Sequence, residues 1–86
     1  MKFDLELGSI AAKGDASKSE TIHIVYKNGP NTHYTVAFIE PRKSETCDMR
    51  TVGSRPWEIK DVSSEVVFAF AKTVMQLVDQ FKYERD

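Results

Sequence analysis

The sequence predicts an α+β domain: an antiparallel four-stranded sheet, in the order ββββα, with one long C-terminal amphipathic helix packed on one face. Three observations predict it. Residues 1–7 alternate apolar and charged side chains, the period-2 pattern of a strand with one buried and one wet face. Residues 21–27 and 33–39 are rich in β-branched and aromatic residues, and the strong turn sequence Asn28-Gly29-Pro30-Asn31 lies between them. Residues 61–83 repeat apolar side chains at helical spacing. A chain of 86 residues has room for a single domain, taken as 1–86.

The first strand is expected over about 1–11, with Phe3, Leu5 and Leu7 inward and Met1 beside them. Residues 12–20, AKGDASKSE, are small and polar and read as a loop. Strands over about 20–27 and 33–40 form a hairpin around a three-residue loop, Gly29-Pro30-Asn31, with Asn31 in the left-handed position such loops use. That register pairs Tyr26 with Tyr34, Ile24 with Val36 and Ile22 with Phe38, and all six land on one face. A fourth strand is expected over about 46–52, with Cys47 and Met49 inward, after the breaker EPRKSE. Residues 53–60, with Gly53 and Pro56, read as a connector.

The helix is expected over about 61–83, with Asp61 as N-cap and Glu65 favourably placed in the first turns. On a helical wheel Val66, Val67, Phe70, Ala71, Val74, Leu77, Val78 and Phe81 fill one arc. Glu65, Lys72, Thr73, Gln76, Asp79 and Gln80 fill the other. The expected core is Phe3, Leu5, Leu7, Ile22, Ile24, Tyr26, Tyr34, Val36, Phe38, Val66, Phe70, Val74, Leu77 and Phe81, with Met1, Cys47 and Met49 as secondary members.

Composition narrows the function. A net charge of −1 supplies no global field toward nucleic acid or an anionic membrane. No apolar run approaches the ~20 residues of a membrane span, and MKFDLELGS lacks the apolar block of a signal peptide. One cysteine, Cys47, forms no intramolecular disulfide, so packing alone holds the fold. A cytoplasmic location is the resulting expectation.

No catalytic residue, metal site or cofactor is expected. The glycine- and serine-rich stretch from Gly8 to Ser19 lacks the Gly-Lys-Ser/Thr of a phosphate loop, since Asp15 follows Gly14. In the hairpin register His33 lies opposite Lys27, which puts His23 and His33 roughly 13 Å apart, too far to share an ion. Cys47 has no orienting motif around it and reads as a buried thiol rather than a nucleophile.

Two surfaces are candidates for binding. Phe68 and Met75, seven residues apart, lie on one line at the edge of the apolar arc; either both wedge under the sheet rim or the 53–60 connector, or they form a candidate protein interface or self-association strip. Trp57, beside Arg55, is either a plug on the core or an exposed anchor for a partner. Arg42, Lys43, Arg50, Arg55 and Lys60 form a candidate basic patch, diluted by Glu40, Glu45, Asp48 and Glu58.

The expected function is that of a non-enzymatic protein-binding protein acting by occupying a partner's surface. The alternative is a small nucleic-acid-binding or regulatory protein using residues 42–60, and a third reading is a subunit stable only in a larger assembly. In format the chain is similar to small inhibitors and accessory proteins of bacteriophages and mobile elements, including anti-CRISPR proteins. The similarity is one of size and style; it rests on no motif and carries over no residue.

Overall fold

The structure, a computed structural model, describes residues 2–85 and the side chains through Phe81. Its elements are β1 (Lys2–Leu7), β2 (Ile10–Asp15), a 3-10 turn (Ala16–Lys18), β3 (Ile22–Lys27), β4 (His33–Pro41), β5 (Thr46–Thr51), β6 (Glu58–Ser63) and α1 (Ser64–Arg85). The sheet runs in the order β1-β2-β3-β4-β5-β6, each strand antiparallel to the next, and α1 crosses one face. The α+β class, the antiparallel sheet and the C-terminal helix are as the sequence predicts. The strand number is six rather than four, for two separate reasons.

The first extra strand comes from dividing residues 1–11. Leu7 pairs with Ile10 across a two-residue turn, Gly8-Ser9, and Gly8 takes φ 57. Glycine at the first central position is what such a turn favours. A Cβ there would also fall 2.6 Å from Asp79 Oδ1, so the helix presses on the same residue. β2 then occupies residues read as loop, because its alanines and glycine have little strand propensity. Their value is smallness. Ala12 is wholly buried, and a Cβ on Gly14 would meet Ile22 Cγ1 at 2.7 Å.

The second extra strand, β6, lies where a connector and a helix start are expected. Cys47 pairs with Val62 but Met49 pairs with Ile59, so β6 carries a bulge. Its two inward residues are therefore three apart, a spacing that imitates a helix. Asp61 sits in that bulge at φ 53 and donates its N–H to Asp48 Oδ1 at 2.8 Å. It is not the helix cap. Ser63 Oγ accepts the Val66 N–H at 3.3 Å, and α1 begins at Ser64.

The β3–β4 hairpin keeps the expected tip. Tyr26 pairs with Tyr34 and Lys27 with His33, and Asn28 N–H donates to Thr32 O at 2.8 Å. The left-handed residue is Gly29, φ 88, rather than Asn31. A register shift between Ile24 and Val25 then changes the rest: Ile24 pairs with Ala37 and Ile22 with Ile39. Phe38, expected inward, lies beside His23 with ring centroids 4.9 Å apart, and the Arg50 guanidinium stands 4.4 Å over its ring.

The core is formed by Phe3, Ile10, Ala12, Ile22, Ile24, Ala37, Ile39, Cys47 and Met49 beneath Val67, Ala71, Val74 and Met75. Alanines at 12, 37 and 71 let the helix approach the sheet closely. Leu5, Tyr26, Val36 and Phe70 pack at the margin, while Leu7, Tyr34, Val66, Leu77 and Phe81 are exposed rather than buried. Met1 lies outside the described residues.

Candidate interaction surface

The rotation of α1 about its own axis decides which side chains remain available. The helix follows β6 with no intervening loop, so its first residue sets its phase. Ser64 Oγ donates to Glu45 O at 3.3 Å and lies 3.7 Å from Cys47 Sγ. From Ser64 the buried line continues through Val67, Phe68, Ala71, Val74, Met75 and Val78, at helical spacing.

Phe68 and Met75 therefore pack against the sheet, Met75 buried and Phe68 in part. Met75 is 2% exposed, and the Phe68 ring meets Phe3 of β1 at 5.6 Å. The open line lies on the other side of the helix. Val66 is 42% exposed, Leu77 49% and Phe81 62%, with Phe70 half-buried among them. Trp57 extends this surface from the start of β6. It is 43% exposed, and its ring stands edge-on to Phe70 at 5.1 Å. The backbone anchors it: Trp57 N–H donates to Thr51 Oγ1 at 2.8 Å, and its carbonyl accepts from Thr51 N–H at 2.9 Å. Trp57 thus covers one flank of Phe70 and shows its own remaining surface to solvent. Arg55 is exposed in the loop just before it.

Compared with known protein families, curated proteins and solved structures, this chain matches none.

The basic residues do not gather into one field. Arg42 donates from Nε and Nη2 to the two oxygens of Asp48, at 2.7 and 3.0 Å. Arg50 pairs with Glu40 at 3.1 Å, and Lys60 with Glu58 at 3.6 Å. Lys43 and Arg55 sit in loops at opposite ends of β5, roughly 20 Å of strand apart. The Arg42 pair does structural work. Asp48 also receives the Asp61 N–H, so one carboxylate ties the β4–β5 turn to the β6 bulge. The Arg42 hydrogen bonds, and then that N–H, hold the Asp48 carboxyl below its ordinary pKa. Arg42 is raised in turn, by its hydrogen bond and charge contact with Asp48.

An open cleft of about 720 Å³ lies at the start of α1, with Arg42, Thr46, Cys47 and Ser64 in its wall. Glu45 and Glu65 line it as well, so it holds no net positive field. Cys47 is buried, and its thiol contacts the Ser64 hydroxyl. The histidines lie elsewhere: His23 Nδ1 is 3.4 Å from Thr35 Oγ1, and His33 is opposite Lys27. Among the described residues no cluster of three or more His, Cys, Asp or Glu side chains is placed to hold a metal ion. Among them, too, no helix is long and apolar enough to cross a membrane.

The wheel carried a partial signal for the open line. Adding Phe68 and Met75 to the eight arc residues makes an apolar surface wider than one sheet covers. One edge of that arc had to stay exposed, and the pattern alone does not say which.

Proposed function

We propose that this chain is a protein-binding protein that works by laying the exposed side of α1, together with Trp57, against the surface of another protein. The observation that carries this reading is the line of exposed Val66, Leu77 and Phe81 along the helix, with half-buried Phe70 among them and Trp57 beside it. Isolated exposed hydrophobes need no explanation, but a continuous rimmed strip does. Trp is among the residues most enriched at the anchors of such contacts. The format, one helix on a small sheet, suits an inhibitor of the phage or mobile-element type acting in the cytoplasm without chemistry of its own. The nucleic-acid alternative draws no support from the cations, since Arg42, Arg50 and Lys60 each face a carboxylate.

The test is affinity capture from the source cells with mass spectrometry, comparing wild type with Leu77→Ser and Trp57→Ala. The reading expects a protein captured by wild type and lost by both variants. Capture unchanged in both removes this surface from the function.

A further inference from the structure

The open line of α1 is symmetric in its spacing. Val66, Phe70, Leu77 and Phe81 are separated by four, seven and four residues, intervals that read the same in both directions. An isologous contact needs this property, because residue i must meet residue j while j meets i. We infer that two copies of this chain pair through this face, their helices antiparallel about a two-fold axis that passes between Thr73 and Val74. This rests on the proposed function's reading of the face as protein-binding, and it commits the occupant to a second copy.

In that pairing Val66 meets the partner's Phe81, and Phe70 meets the partner's Leu77. Trp57, edge-on to Phe70, borders the same partner residue. Val66, Phe70, Thr73, Leu77 and Gln80 alternate steps of four and three, the average period of 3.5 that keeps two helices in contact at a shallow crossing. The centre is suited to close approach. Ala69 is small, and the Thr73 hydroxyl donates to Ala69 O at 3.1 Å, so it is satisfied within its own helix.

Charge does not oppose the contact. Between Val66 and Phe81 the charged residues are Lys72 and Asp79, and both lie toward β1. Lys72 Nζ stands 5.7 Å over the Phe68 ring, and the Asp79 carboxylate lies against Gly8. The face between consists of apolar, alanine, threonine and glutamine side chains. Two like-charged copies therefore meet there without a charge directly opposite its twin. Antiparallel helix dipoles add a small favourable term.

The area fits a modest dimer. Large aromatic side chains bring ~150–250 Å² each when fully exposed. The open parts of Val66, Leu77, Phe81 and Trp57 together come to roughly 400 Å² per copy, and the exposed Thr73, Gln76 and Gln80 between them add to it. About 1,200 Å² per pair is the lower end for specific interfaces, so this contact falls in the range of small, transient ones.

Sedimentation equilibrium of the full chain from about 5 to 500 µM tests the pairing. Wild type is expected to dimerise, and Leu77→Ser to weaken association by about tenfold or more, with an unchanged circular dichroism spectrum. Thr73→Cys tests the register. Two copies of residue 73 face each other across the axis, so mild oxidation gives a covalent dimer, whereas two copies of residue 66 lie roughly 22 Å apart and Val66→Cys gives none. A wild type that stays monomeric throughout overturns the pairing; if its capture of another protein is still lost on Leu77→Ser, the proposed function stands without it. A dimer indifferent to Leu77→Ser, or one cross-linked by Val66→Cys and not by Thr73→Cys, overturns this geometry. A dimer lost on Leu77→Ser, in a chain that captures no other protein, supports the pairing and overturns the proposed function instead.

Discussion

Two pairs of side chains on α1 share chemistry and spacing, and their second members have opposite fates. Phe68 and Met75 are seven residues apart, and so are Phe70 and Leu77, two residues further on. Met75 is buried whereas Leu77 is exposed; Phe68 and Phe70 are both partly buried, Phe68 against Phe3 and Phe70 against Trp57. Local propensity does not separate them. What separates them is the direct junction of β6 with α1, which turns Ser64 toward Cys47 and carries its line of the helix onto the sheet. The lesson is that a helix with an apolar arc wider than its sheet leaves one edge over, and a contact at its first turn chooses the edge.

The largest test of this contrast is truncation on each line. Met75→Ala is expected to destabilise the fold by about 2–5 kcal/mol, through lost transfer energy and a cavity. Leu77→Ala should change stability by ~0.5 kcal/mol or less while weakening binding. Urea denaturation of both variants measures the difference, and equal losses would collapse the contrast.

Enlargement makes the same comparison from the other side. Ala71 is wholly buried and Ala69 is exposed, two residues away. Ala71→Leu should cost about 1–3 kcal/mol by overpacking the helix against the sheet. Ala69→Leu is expected to be near neutral in stability, and to alter self-association by crowding the helix crossing. Thermal melts and sedimentation of the pair check this.

Smaller effects sit away from the helix, where the first-turn contact is held in place. Glu45 accepts the Ser64 hydroxyl at its carbonyl and sits at φ 67, a conformation that a side chain disfavours. Glu45→Gly should relieve about 1–2 kcal/mol of left-handed strain against roughly 0.5–1 kcal/mol of added unfolded-chain entropy, a net gain of at most about 1 kcal/mol, read by urea denaturation; a loss would show that the side chain holds the turn in another way.

The mildest effect is acid sensitivity from Asp48. Its pKa is lowered in the fold, so its contribution is fully present above the unfolded value of about 4 and is lost as pH falls through the lowered folded value. Asp48→Asn should flatten the loss of stability below about pH 4 in a pH series of melts. An unchanged acid limb would assign that loss to other carboxylates.

Much of the fold was legible. Alternation marked β1, β-branched density with Asn-Gly-Pro-Asn marked the β3–β4 hairpin and its tip register, and Cys47 with Met49 marked β5. The omissions have local causes. β2 is built of alanine and glycine because Gly14 must clear Ile22, so size outweighed propensity. β6 hid its period behind the Asp61 bulge. Phe38 was misplaced by the register shift beside Val25, which turns it toward His23 and Arg50. Of the candidate interface residues, Trp57 is at the open surface and Arg55 is exposed beside it, while Phe68 and Met75 pack against the sheet.

From the sequence alone follow the α+β class, the antiparallel sheet and the C-terminal place of the amphipathic helix. These are local or compositional properties, readable from period and residue type. The tertiary structure decided the phase of that helix and the two added strands. Bulges, close approaches and the β6–α1 junction depend on residues far apart in the chain meeting in space, and no window of sequence contains both partners.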